Sequence, residues 1–143
     1  LNIATLLARA GTVFVLCHEL AHIELGHHET ESREQVQELE ADKRAAEYFL
    51  KVIEYGKVDK DTLIHVDPKL AAAPAILSVI FELYEDWHKH QSGFEPVSAE
   101  HPPAVIRTQQ LESILEAHFV EEARVIYEGS RKATDDLRKL LRL

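Results

Sequence analysis

Between Cys17 and His28 the chain reads CHELAHIELGHH, with four histidines and two glutamates in twelve residues. Imidazole and carboxylate are the side chains that bind zinc and move protons near neutral pH. Three of these residues, His18, Glu19 and His22, form the pattern His-Glu-x-x-His. On a helix, residues four apart differ by roughly 40° around the axis and stand one above the other. Both imidazoles can then reach one zinc ion. Glu19 lies close enough to take a proton from a water held there, yet is not placed as a ligand. A chain with nine histidines can hold this spacing by chance. What matters is therefore whether a third ligand exists, because a catalytic zinc site needs three.

Two candidates are in range. His28 follows His22 by six residues, the metzincin spacing. That pattern needs glycine three residues after the second histidine, where the chain turns away. Here Leu25 holds that position and the glycine comes one residue late, at Gly26, so a helix continuing to Leu25 carries His28 past the metal. The other candidate is in QELEADKRAAEYF, where Glu38 and Asp42 are four apart and share a face. If the two helices pack antiparallel, Glu38 can bind the metal. Asp42 can accept the other ring N–H of a ligating histidine, which fixes its tautomer and raises its basicity. Ala41 and Ala45 keep this face slim. Glu38 is the preferred third ligand; the competing view makes Glu38, Glu40 and Asp42 a solvated charged face.

These residues need elements to hold them. Apolar spacing predicts a helix from about Ile3 to Leu25, with Leu6, Leu7, Ala10, Phe14, Cys17 and Ala21 near one face and Gly26 as its stop. Thr30 or Ser32 can cap a second helix from about Arg33 to Tyr55, ended by Gly56. Its apolar positions include Val36, Leu39, Ala45, Phe49, Val52 and Ile53. A third helix, from about Pro68 to His90, carries Ile76, Val79, Ile80, Leu83, Tyr84 and Trp87 as a core stripe, with Pro74 kinking it or delaying its start. After the loop QSGFEPVSAEHPP, Pro102 or Pro103 opens a fourth helix reaching about Tyr127, and a last one spans roughly Lys132 to Leu143. No strand is evident, so the expected fold class is mainly α.

The chain's 143 residues suit one domain. Its first residue is Leu1 and it holds no methionine, so a piece of a longer chain is expected. A formal charge of −9 leaves no basic stripe to neutralise phosphates, which argues against nucleic acid as a partner. No uninterrupted apolar run reaches the roughly 18 residues of a membrane span. The single cysteine, Cys17, forbids an internal disulfide and fits a reducing, cytoplasmic setting; it is expected in the core rather than on a metal.

HELAH followed by ELEAD resembles the gluzincin metallopeptidases. It is most similar to the group that includes the CAAX-type and heat-shock membrane zinc proteases, and also resembles soluble proteases of mobile elements and phage-exclusion peptidases. A third segment, AEHPPAVIRTQQLESIL, is similar to the THPP…R…L stretch of the CAAX-type group, with His101, Pro102, Pro103 and Arg107 in the corresponding places. The resemblance implies a zincin-like helical domain with one zinc ion on His18, His22 and Glu38. It implies Glu19 as general base, Asp42 as the residue orienting a ligand, and a zinc-dependent endopeptidase acting on a protein or peptide. His101 and Arg107 are the candidate donors to the oxyanion. The transmembrane helices of the membrane relatives, and a strand before the active-site helix, are not evident. A regulatory partner or an upstream region is left open. Two non-catalytic alternatives stand beside this: a regulatory or protein-binding helical module with a structural or vestigial metal site, and an interaction domain with no metal.

Overall fold

Asn2 starts the first helix: its side-chain oxygen accepts from the Thr5 amide at 2.9 Å, supplying one of the partners a helix start lacks. Helix α1 then runs Ile3–Glu24. It ends where Gly26 takes a left-handed φ of 72°, the stop expected of that glycine. The computed structural model describes residues 2–27, 34–58, 66–93 and 102–143. Among these the fold is all α, with no strand. Helix α2 is Gln35–Val58, α3 is Ala73–Ser92, α4 is Ala104–Leu115 and α5 is Glu121–Leu141. The proposed capping residues Thr30 and Ser32 lie outside the described residues.

Helices α1 and α2 are antiparallel. Their contacts step in opposite directions along the two segments: Phe14 meets Phe49, His18 meets Asp42, and His22 meets Glu38. Small residues make the approach close. Ala10 and Ala21 on α1, and Ala41, Ala45 and Ala46 on α2, are all buried. Phe14 and Phe49 pack edge to face with centroids 6.1 Å apart, a pair contributing about 0.5–1.5 kcal/mol beyond its buried area. Gly11 serves a similar end against α3, because a Cβ there would come within 2.7 Å of Leu77 Cδ1.

Helix α4 is held across α2 and α3. The carboxylate of Glu85 on α3 accepts from the Ala104 amide at 3.0 and 3.1 Å and so caps α4 at its start. Thr108 donates to Ser78 of α3 at 2.8 Å, and the Gln110 amide donates to the Leu39 carbonyl of α2 at 2.5 Å. Helix α5 returns along α3. Buried Glu82 receives Arg131 at 3.3 Å and Arg138 at 3.2 Å, and Arg138 also reaches Asp86 at 2.7 Å.

Several expectations need correction. Helix α2 continues through Gly56 to Val58, because an internal glycine costs a helix only about 1 kcal/mol and tertiary packing can override it. The fourth helix does not reach Tyr127. It ends at Leu115, a 3-10 turn spans Glu116–His118, and α5 then runs unbroken past Gly129. That reversal returns Ala123 and Tyr127 to the core. Ile80, Tyr84 and Trp87 are exposed rather than core, since α3 buries a narrower face than its apolar content allows. Pro74 does delay α3: a 3-10 turn at Pro68–Leu70 precedes it and the proline falls in its first turn. Helix α1, interrupted by Arg9, still averages a mean hydropathy of 1.4 over its most apolar stretch. It is long and apolar enough to cross a membrane by length and composition alone, so the interruption does not exclude a span. It is also the helix whose inner face packs against α2.

Candidate metal centre

His18 and His22 stand one turn apart on the inner face of α1, and their Nε2 atoms come within 3.0 Å. Glu38 sits opposite them on α2. Its two oxygens lie 3.4 Å from His18 Nε2 and 3.3 Å from His22 Nε2. All three residues are buried. The acid is brought there by the antiparallel register, and the flanking alanines let it arrive without pushing the helices apart.

Asp42, fully buried one turn beyond Glu38, faces the far side of His18, with Oδ1 2.9 Å from Nδ1. Arg107 of α4 forks onto the same carboxylate, Nε to Oδ2 at 2.6 Å and Nη2 to Oδ1 at 2.7 Å. Burial would push the Asp42 carboxyl up. The hydrogen bonds from His18 and Arg107, with the Arg107 charge, outweigh it and hold the group below its ordinary value. A proton held on Nδ1, facing this carboxylate, would leave the Nε2 lone pair of His18 turned toward His22 and Glu38.

The donor set fits a divalent cation. Bonds of 2.0–2.1 Å in a tetrahedron place neighbouring ligand atoms about 3.3 Å apart; the two Nε2 atoms are 3.0 Å apart, each lies 3.3–3.4 Å from a different oxygen of Glu38, and one ligand atom from each residue falls within 4.8 Å of the others. Two imidazole nitrogens and a carboxylate oxygen are the mixed set that suits zinc. Charge points the same way. Glu38 is a second buried carboxylate beside Asp42, only 2% exposed. A cation where the three ligand atoms converge would offset the cost of burying that charge.

The model of one protein family, Peptidase U49, matches residues 2–128 of the 143. The chain belongs to the Peptidase U49 family. No curated protein and no solved structure matches it. Membership in a peptidase family indicates a protease acting on protein. The matched span takes in all of α1, α2, α3 and α4 and the first part of α5, so every side chain at the His-His-Glu cluster lies within it.

Elsewhere in this U49 chain the candidate residues fall into three groups. Glu19 is exposed on the shoulder of α1 and lines a groove of about 580 Å³ with Val13, Leu16, Leu20, Ile23 and Val52. Arg107 is engaged with Asp42, the carboxylate pairing that suits a fork-shaped guanidinium. His28 and His101 lie outside the described residues. From the opening histidine-rich stretch, Glu24 is drawn away from the cluster: Tyr48 donates to it and Arg44 lies 3.5 Å from it. Cys17 is buried beside Phe14 in the core, where burial pushes its thiol up. Sequence reasoning gave no part to Gln110, which grips the α2 backbone beside Glu38. No spacing rule links positions so far apart in the chain.

Proposed function

We propose that this U49 peptidase is a zinc-dependent endopeptidase of the gluzincin kind, with His18, His22 and Glu38 as the zinc ligands. The convergence of these three buried groups from two helices, with Asp42 behind His18, carries the reading. Bound there, zinc supplies Lewis-acid chemistry, polarising a peptide carbonyl and lowering the pKa of water toward neutrality. Glu19 accepts the proton of the attacking water and returns it to the leaving nitrogen. Its exposed position on α1, one residue beyond a ligand, leaves it open to substrate and solvent. Asp42 keeps His18 in the tautomer that presents Nε2, and Arg107 keeps Asp42 ionised, acting on the reaction through these partners. His101 is assigned the oxyanion donor, and a protein or peptide is the substrate.

The test is metal analysis of untagged protein combined with the Glu19→Gln variant. About one zinc per chain is expected in both proteins. Peptide hydrolysis should fall by about 10²–10⁴ in the variant, the range for loss of a general base. Equal turnover by the two proteins would remove the catalytic role of Glu19. Bound zinc with no hydrolysis of any protein substrate by wild type would favour a structural metal instead.

A further inference from the structure

Asp42 accounts for one ligand histidine. The other, His22, is held differently. Its Nδ1, the nitrogen facing away from Glu38, lies 2.9 Å from Nδ1 of His27. His27 is 6% exposed, and its ring meets that of His22 at 66° with centroids 5.1 Å apart. Its Nε2 lies 3.3 Å from a carboxylate oxygen of Glu40 on α2. The left-handed turn at Gly26 is what folds the chain back and aims His27 at the ring it has just passed.

The protons on this chain of groups follow from the donors and acceptors. Glu40, as a carboxylate, only accepts, so the contact suits a proton on Nε2 of His27. With its one proton there, His27 offers a lone pair on Nδ1. The 2.9 Å contact requires one hydrogen between the two Nδ1 atoms, and it must come from His22. With Nδ1 protonated, His22 presents a lone pair on Nε2, 3.0 Å from the Nε2 of His18.

We propose that His27, backed by Glu40, is the positioning residue for His22, setting its tautomer and ring orientation as Asp42 does for His18. His27 is not itself a ligand of this cation, because its near nitrogen is directed at the far side of the His22 ring. The assignment rests on the metal reading above. It makes the two arms of the site unlike: an aspartate stands behind one ligand, and a histidine backed by an exposed glutamate behind the other.

Zinc titration of the full chain against a competing chromophoric chelator tests this, using wild type, His27→Phe and His27→Asn. Phenylalanine fills the space without an acceptor, whereas the asparagine oxygen can stand where Nδ1 stood. His27→Phe should bind zinc about 10–100-fold more weakly, the usual cost of losing such a partner, and His27→Asn should recover most of that loss. A role in packing alone would give the opposite order. Affinity of His27→Phe equal to wild type, or of His27→Asn as weak as His27→Phe, overturns the proposal. Independently of any variant, nitrogen-15 spectra of the zinc-loaded wild type should show His22 protonated at Nδ1 and His27 at Nε2; a proton on His27 Nδ1 overturns it. If wild type takes up no zinc, the metal reading falls first, a result distinct from the failure of His27 alone.

Discussion

Asp42 serves two partners at once, and the cost of removing either can be separated. Arg107→Ala leaves the carboxylate buried beside His18 with no guanidinium. Breaking a buried pair from one side costs about 3–5 kcal/mol. Arg107 keeps 26% of its side chain exposed, so water can enter and the low end of that range is expected. Denaturant unfolding of the metal-free protein measures this. Asp42→Asn should be milder for the fold, because an amide needs no counter-charge. It should be harsher for zinc affinity, because it no longer demands the proton at Nδ1 of His18. If the two substitutions ranked the same way in both assays, the division of labour between Arg107 and His18 on Asp42 would be wrong.

The unit that makes the cluster is the α1–α2 pair, and its slim face is the sensitive part. Ala41 lies between Glu38 and Asp42 in sequence and is fully buried. Ala41→Leu adds three heavy atoms where there is no room. Overpacking of this kind costs about 1–3 kcal/mol. It should also separate Glu38 from the histidines, so zinc affinity should fall together with stability, as a zinc titration beside a denaturant melt would show. A loss of stability at unchanged affinity would mean that the ligand geometry is set within each helix rather than by their spacing. Much of this pair was legible beforehand. The apolar spacing of Ala10, Phe14, Cys17 and Ala21, the glycine stop and the four-residue interval of Glu38 and Asp42 all act over a few residues. The break after Leu115 was not legible, since no proline or glycine marks it. It exists because α5 has to reverse direction to lie along α3, where Glu82 and Asp86 receive Arg131 and Arg138.

For the whole molecule, metal binding and folding should be linked. The three ligand atoms come from two helices and converge only in the folded chain, so a cation bound there stabilises the folded state alone. At a free zinc concentration 100 times the dissociation constant the gain is about 2.7 kcal/mol. For a chain of this size each kcal/mol moves the melting temperature by about 2–4 °C. Removing zinc with a chelator should therefore lower the melting temperature by about 5–10 °C, and adding zinc back should restore it. A melting temperature indifferent to chelator would show that the cluster holds no metal, or holds it equally in the unfolded chain.

The local chemistry was readable from the residues alone: His18 and His22 on one helical face, Glu19 beside them, Glu38 and Asp42 one turn apart, and a glycine that stops α1. Each depends on the 100° step of a helix or the freedom of one backbone angle, which neighbouring residues set. Which groups meet came from the packing of the helices. It joined Arg107 to Asp42 across 65 positions, put Gln110 on the Leu39 carbonyl, turned Tyr84 and Trp87 to the surface, and brought His27 back onto His22. Those pairings depend on which faces are left to bury once several helices compete for one core, and no local pattern in the chain fixes that outcome.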